Sequence, residues 1–364
     1  MQIDRITLHH FRNLHGLDLG LGPGINLIAG QNGLGKSNLL ESLHFLCLAH
    51  SPRTRRDKEL IAWGTKDPVF VIRGEGQVGG KPHTQSVEYT EKGSRVKSGH
   101  NETHRLGDLL GHFNLVGFSP EDMDLIRGGP LERRRFLDVL MCQRDPSALE
   151  ILRRYRQSLR QRNAVLKLPY LGADEDALLL AYEFTLVDAG VELVRRRLEV
   201  VDFLTPKAKE FYFEIGGGAE KLHLEMTRSL GRDEKPEIMR ENFLQKLREN
   251  RAQDRENGAT GHGPHRDDLL AFLAGKMARD FASQGQKRSV ALALKLASAT
   301  LLKEASGWSP ILLLDDVFAE LDPHRRERFG ALISGFGQVF IATPRREDLP
   351  FPVDQVLSLD RPTE

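Results

Sequence analysis

Three groups of residues, far apart in the chain, carry the types and spacing for phosphate chemistry. Gly30-Gln31-Asn32-Gly33-Leu34-Gly35-Lys36-Ser37, followed by Asn38, fits the phosphate-loop pattern at every fixed position. Glycines permit tight turns whose N–H groups point inward at a triphosphate, and a helix N-terminus adds partial positive charge. Lys36 would reach the β- and γ-phosphates, and the Ser37 hydroxyl would ligate Mg²⁺. Ile311-Leu312-Leu313-Leu314-Asp315-Asp316 reads as a buried strand ending in two carboxylates. Asp315 would hold the Mg²⁺, directly or through water, and Asp316 would orient or deprotonate an attacking water. A second acid directly after the first suggests hydrolysis rather than binding alone.

Ser283-Gln284-Gly285-Gln286 is the third group. A serine followed by glycine at a helix start makes a further anion site from a hydroxyl and free N–H groups. A chain already holding its own phosphates has little need of a second such site. The economical reading is that Ser283, Gly285 and Gln286 cap the γ-phosphate held by another copy. As a lone motif, a plain serine N-cap is the bland alternative. The three groups together describe an ATP site split along one chain and shared between two.

The elements that must position these residues follow from the pattern. Ile25–Ala29 reads as a short buried strand, and a helix starts near Lys36 with Leu39, Leu43, Leu46 and Cys47 on an apolar face. Residues 1–29 and 69–105 read as strands with Gly-rich turns, forming a sheet beside the nucleotide. Residues 119–216 are mostly helical, with a loop at 168–174, and Gly216-Gly217-Gly218 marks the return to the head. Strand-like 221–226, a polar helix over 237–256 and a strand at 269–273 lead to the Ser283 group and a helix over 287–303. The fold class is α/β, a head built from both ends of the chain with an inserted helical lobe. The expected domains are 1–118 and 217–364 for the head and 119–216 for the lobe. No internal repeat and no sustained heptads are present, which separates the chain from long-armed relatives with similar heads.

Order and spacing resemble the heads of ABC-type ATPases: phosphate loop, large insertion, Ser-x-Gly-Gln, aliphatic strand with two acids, then Ala319-Glu320-Leu321-Asp322. Such a head joins a mixed phosphate-loop sheet to an antiparallel sheet. Within that group the chain resembles the RecF family of bacterial recombinational-repair ATPases, whose heads are similar to those of chromosome-organising proteins. Phe11-Arg12-Asn13-Leu14, Ser51-Pro52-Arg53-Thr54, Phe118-Ser119-Pro120-Glu121-Asp122, Arg133-Arg134-Arg135-Phe136-Leu137-Asp138 and Gly263-Pro264-His265-Arg266-Asp267-Asp268 carry that resemblance. It implies that Arg12 and Asn13 lie near the phosphates or base. It makes Ser283, Gly285 and Gln286 similar to the signature loop that closes over a partner's ATP, and puts Asp322 in the segment contacting the opposite subunit. Arg53 and residues 263–268 look like further site-lining elements. No glutamine stands where ABC proteins place their lid glutamine, and residues 118–122 are assigned to that region. No histidine follows the last expected strand, Val339–Ala342; Thr343 stands near the switch position. His262 and His265 are assigned structural roles.

Bulk properties agree. A chain of 364 residues can hold two or three domains, and Cys47 and Cys142 alone give no disulfide framework. No apolar run suits a signal peptide or approaches the roughly 18 residues of a spanning helix, so a cytoplasmic protein without membrane contact is expected. The net charge of +1 averages over local patches. Arg133, Arg134 and Arg135 form one, Arg195, Arg196 and Arg197 another, and Arg153, Arg154, Arg156, Arg160, Arg162 and Lys167 a third with no acid between them. An arginine-rich helix face is ordinarily a solvated one. The resemblance makes the region as a whole a candidate for DNA-backbone contact, with few aromatics for base stacking.

The implied function is ATP-dependent DNA binding in recombinational repair and replication. An ATP-induced homodimer would recognise gapped, single-strand or junction DNA and hydrolyse ATP slowly. DNA would stimulate that weak ATPase. It would assist recombinase loading and SOS induction beside RecR and RecO. A transporter-type ATPase subunit and a small-molecule phosphate-loop kinase are the alternatives; the basic lobe argues against the first, and the second has no use for Ser283.

Overall fold

Leu39, Leu40, Leu43, Phe45, Leu46, Cys47 and Leu48 are all buried in helix α1 (Lys36–Leu48). The helix therefore meets apolar surface on more sides than the expected Leu39–Leu43–Leu46–Cys47 face. It packs against β8 (Leu115–Phe118), β12 (Ile311–Asp315) and β13 (Val339–Ala342), and also against β1 (Gln2–Phe11), β4 (Val69–Val78) and β5 (Lys81–Thr90). Gly74 in β4 permits the second approach, because a Cβ there would lie 2.5 Å from Leu46 Cδ2.

This computed structural model describes residues 1–31, 33–66, 68–99, 101–168, 173–216, 220–231 and 235–359. They form two compact units. The first takes the described residues of Met1–Met123, Lys207–Ala219 and Ser283–Glu364, and the second takes Asp124–Pro206 and those of Glu220–Ala282.

In the first unit, β3 (Ile25–Ala29), β8, β12, β13 and β14 (Gln355–Ser358) make a parallel sheet in the order β14-β3-β13-β12-β8. The first four residues of β12, all aliphatic, are buried, as a sheet covered on both faces requires. Register aligns the carboxyl ends of its strands: Ile28 pairs with Ala342, and Ala342 with Asp315. The turn after β3 and the acids after β12 therefore share one edge of the sheet. β14 follows β13 in sequence and pairs with β3 at the sheet edge, so Val339–Ala342 is not the last strand. Helix α9 (Gln284–Ser306) packs on β8 and the turn after it, and α10 (Pro323–Ile333) follows β12.

An antiparallel sheet adds β2 (Leu14–Gly20), β6 (Gly93–Ser98) and β7 (Asn101–Thr103) to β1, β4 and β5, in the order β2-β1-β4-β5-β6-β7. Buried Gln338 fastens it to the parallel sheet. Its amide accepts from Ile3 N at 2.8 Å and donates to Ile3 O and Gly22 O, each at 2.7 Å. Parallel and antiparallel pairings are thus segregated into different sheets of one α/β unit.

The second unit contains α2 (Asp124–Arg127), α3 (Pro130–Arg144), α4 (Ala148–Leu166) and most of α5 (Ala173–Gly216), the unit boundary falling after Pro206. It also contains β9 (Leu222–Thr227), α6 (Pro236–Glu249), α7 (Arg251–Asn257), β10 (Asp268–Leu273), β11 (Lys276–Met277) and α8 (Ala278–Phe281). The strands form a sheet in the order β11-β10-β9.

Residues 220–282, expected in the head, thus group with the helices. Ion pairs fix them there: Arg133 of α3 donates to both oxygens of Asp268 at 2.6 and 2.8 Å, and Arg162 of α4 donates to Asp254 of α7 at 2.7 Å. The expected polar helix 237–256 is two helices, broken at Asn250, whose side chain turns back to donate to Lys246 O. Of the expected loop 168–174 and the Gly216-Gly217-Gly218 return, residues 169–172, 217 and 218 lie outside the described residues.

Candidate nucleotide-binding site

The turn between β3 and α1 is shaped by its glycines. Gly30, Gly33 and Gly35 have φ of 143°, 86° and 104°, values that L side chains rarely adopt. A Cβ on Gly35 would also lie 2.7 Å from Asn13 Oδ1. Gly35 caps α1 without a side-chain hydrogen bond, and the first turn carries no acid. With neither a side-chain cap nor a first-turn acid, the positive end of α1 suits an anion. Lys36, largely buried, donates from Nζ to Gly30 O at 2.8 Å and Gln31 O at 3.1 Å, so its ammonium lies inside the turn. Leu34 lies in the same turn, and Asn32 falls outside the described residues.

Ser37 Oγ donates to Asp315 Oδ1 at 2.9 Å, joining the start of α1 to the end of β12. Burial pushes the Asp315 carboxyl above the usual carboxylate range, Glu121 and Asp316 push the same way, and the Ser37 hydrogen bond and the Arg53 charge oppose them. Asp316 has φ 53°, and its N–H donates to Ala342 O at 2.8 Å, so the chain turns sharply after Asp315. A hydroxyl and a carboxylate in contact are hard oxygen donors of the type that Mg²⁺ takes, and they fit that ion.

A hydrogen-bonded chain braces the turn. Arg12, at φ 55°, donates to Glu41 Oε2 at 3.0 Å and to Glu41 Oε1 at 2.8 Å. Ser51 Oγ donates to the same carboxylate at 2.5 Å, and Arg53 stands 3.6 Å from it. Arg53 donates to Asn38 Oδ1, Asn38 to Asn13 Oδ1, and Asn13 to Gly33 O at 2.9, 2.7 and 3.0 Å. Arg12, Asn13, Asn38 and Arg53 are thus brought to the phosphate loop. Buried Glu41 and Ser51, at the centre of the network, were assigned no role from sequence. An acid on a buried helix face four residues after Ser37 was the available signal.

Ser283 caps α9 through a capping box. Its Oγ accepts from Gln286 N at 3.2 Å, and Gln286 Oε1 accepts from Ser283 N at 2.7 Å. The plain N-cap is therefore present, and Ser283 is also exposed. Asp322 caps α10 by accepting from Arg325 N at 3.0 Å. In the segment 118–122, Asp122 accepts from Ser119 N and pairs with Lys295 of α9 at 2.7 Å. Thr343 is buried after β13 and donates to Arg345 O.

The arginine clusters in the second unit divide. Arg153, Arg154, Arg156 and Arg160 of α4 are exposed or half-exposed. Arg162, expected among the DNA-contacting arginines, is instead fully buried, donates to Glu183 at 3.0 Å and Asp254 at 2.7 Å, and presents no surface to DNA. Arg133 and Arg197 are likewise spent inside, on Asp268 and Asp138. His265 is held between Tyr155 Oη at 2.6 Å and Thr260 O at 2.9 Å, and burial pulls its pKa down to about 4. That is a structural histidine.

A glycine turn at the end of a parallel strand, a helix opening behind it, a Ser–Asp pair across the sheet edge and an antiparallel sheet at the helix's back define an ABC-type ATPase head. The model of the RecF/RecN/SMC N-terminal domain matches residues 2–357, and the chain belongs to the RecF family. It is 40% identical over 345 residues to the DNA replication and repair protein RecF of Halalkalibacterium halodurans, covering 94% of this chain and 92% of that one. The RecF protein of Heliobacterium modesticaldum is 38% identical with the same coverage. The structure of the recombination mediator protein RecF-ATP in the RecFOR pathway superposes with a TM-score of 0.87 at 33% identity, covering 96% of this chain and 94% of that one. A Smc head bound to the C-terminal winged-helix domain of ScpA shares the fold alone, at 17% identity and a TM-score of 0.55, with 98% and 94% covered.

Proposed function

We propose that this protein is an ATP-switched DNA-binding protein of replication and recombinational repair. The observation that carries the reading is the Ser37–Asp315 contact beside a helix N-terminus without a side-chain cap. The triphosphate lies along the turn 30–37, against the N–H groups of α1. Lys36 exchanges its carbonyl partners, Gly30 and Gln31, for phosphate oxygens. Ser37 and Asp315 would hold Mg²⁺, which would supply neutralisation of phosphate charge. Asp316 orients the attacking water. Arg12, Asn13 and Asn38 fix the loop's outer wall.

Ser283, Gly285, Gln286 and Asp322 face a second copy, and ATP completes the seam between them. The γ-phosphate therefore shifts the population from monomer to dimer, and slow hydrolysis reverses it. The dimer binds gapped, single-strand or junction DNA through phosphate contacts, including the exposed arginines of α4, and DNA stimulates the weak ATPase. Acting in the cytoplasm with RecR- and RecO-type partners, it assists recombinase loading and SOS induction. The curated relatives named RecF favour this reading over a transporter subunit or a small-molecule kinase.

Sedimentation of Asp316→Asn with Mg²⁺ and ATP tests it. A dimer is expected with ATP and a monomer without, and the dimer should bind gapped duplex in a salt-dependent manner. A monomer at every protein concentration with ATP bound would sink the shared-site mechanism.

A further inference from the structure

Within one chain, Arg325 lies against both of the turns assigned to the seam. Arg325, in the first turn of α10, donates from Nη1 to Asp322 Oδ2 at 3.1 Å, while its backbone N–H donates to Asp322 Oδ1 at 3.0 Å. The same guanidinium lies across Gly285. A Cβ on Gly285 would sit 2.5 Å from Arg325 Nη1, 3.4 Å from its Cζ and 3.7 Å from its Nη2. Gly285 has no positive φ, so its backbone does not demand glycine. The Arg325 guanidinium packs against it, and a side chain at 285 would have to displace that guanidinium.

A second cation runs parallel. Arg288, one turn into α9, pairs with the Glu320 carboxylate and donates to Glu320 O at 2.5 Å. Arg325 is about a quarter exposed and Asp322 nearly half, so the first bridge lies at the surface. An exposed ion pair adds little to global stability. Its value lies in geometry: a planar guanidinium can cover a glycine and hold a carboxylate at once, which a lysine ammonium cannot.

We propose that Arg325 is a positioning residue that locks the Ser283–Gln286 turn to the Asp322 turn, so that both meet the second copy as one rigid surface. The proposal rests on the reading that these turns form the ATP-dependent seam. Without the lock, each turn would have to be ordered separately on association, and that entropy would be lost from dimer affinity.

The test uses the full chain in the Asp316→Asn background, with three measurements: ATP affinity of the monomer, thermal midpoint, and the ATP-dependent dimer dissociation constant. Arg325→Ala should leave the first two unchanged and raise the third at least about tenfold. Amide exchange at residues 284–287 should quicken in that monomer. Arg325→Lys should not restore the dimer. Asp322→Asn should weaken the dimer by itself, and Arg325→Ala should add less than about twofold to it.

Dimerisation of Arg325→Ala within twofold of its parent overturns the proposal, as does full rescue by lysine or independent, multiplicative effects of the two substitutions. If the parent itself stays monomeric with ATP bound, the shared-site reading has failed, a result separate from all of these.

Discussion

Ser37 and Asp315 stand 278 positions apart and share a hydrogen bond of 2.9 Å. The contact exists because strands β3, β13 and β12 are in register at their carboxyl ends, with Ile28, Ala342 and Asp315 side by side. It has a thermodynamic cost. Burial holds the Asp315 carboxyl above its ordinary range, with Glu121 and Asp316 adding to the shift.

The fold therefore binds the Asp315 proton more tightly than the unfolded chain does. Stability from this group is fully present below the unfolded pKa and is lost as pH rises through the folded one. Asp315→Asn should raise the thermal midpoint of the nucleotide-free protein by about 1–3 °C at neutral pH, the gain shrinking toward pH 4. It should also abolish Mg²⁺-dependent ATP binding. Calorimetry without nucleotide and titration with Mg²⁺-ATP measure the two effects; a lowered midpoint at neutral pH would falsify the account of Asp315.

Glu41 is the buried counter-charge of the loop's bracing network, taking Arg12 through two hydrogen bonds and Ser51 through a third. Removing one partner of such a pair strands the other charge. Glu41→Ala should cost ~3 kcal/mol in urea unfolding of the first unit. Glu41→Gln, which keeps the shape and one acceptor oxygen, should cost less. Both should weaken ATP binding, because the chain Arg53–Asn38–Asn13–Gly33 loses its anchor. An Ala variant as stable as its parent removes Glu41 from that role.

Much of the site was legible because its chemistry is local. Glycines, Lys36 and Ser37 lie within one turn, and the short aliphatic run before Asp315 and Asp316 has the length and pattern of a buried strand. What stayed illegible depends on tertiary pairing. Arg162 and Arg156 look alike in sequence, yet one points at Glu183 and Asp254 and the other lies at the surface. The role of Glu41 needs Arg12 and Ser51 to arrive from other segments. Residues 220–282 read as head because a strand pattern cannot say which unit its ion pairs join, and Arg133–Asp268 decides that.

The split among the arginines yields a paired prediction. Arg162→Met removes the cation between two buried carboxylates and should destabilise the second unit by ~3–5 kcal/mol. Its effect on DNA affinity, measured below the unfolding range, should be within about twofold, because Arg162 offers no charge to solvent. Arg153, Arg156 and Arg160 replaced together by Ala should do the reverse. Stability should change by under ~1 kcal/mol, DNA affinity should fall, and the slope of affinity against salt should flatten. Unchanged DNA binding in the triple variant would move the DNA surface off α4.

Ser283 caps α9 and is proposed to meet a second copy, and one substitution cannot separate the two, so three are needed. Its hydroxyl caps α9 and its exposed turn is assigned to the partner's γ-phosphate. Ser283→Thr retains an acceptor at the cap and should dimerise with ATP much as the parent does. Ser283→Ala loses the capping hydrogen bond, at a cost of about 1 kcal/mol, and also the seam hydroxyl; it should weaken the dimer without abolishing it. Ser283→Arg adds bulk and a long side chain where two copies must close on a nucleotide. The monomer should bind ATP within about twofold of its parent, since Lys36, Ser37 and Asp315 are untouched, while ATP-driven sedimentation as a dimer disappears. Capping predicts similar losses for Ala and Arg, whereas a seam predicts that only Arg is fatal. Sedimentation velocity with saturating ATP reads the difference, and equal dimerisation of the Ala and Arg variants leaves Ser283 as a helix cap and nothing more.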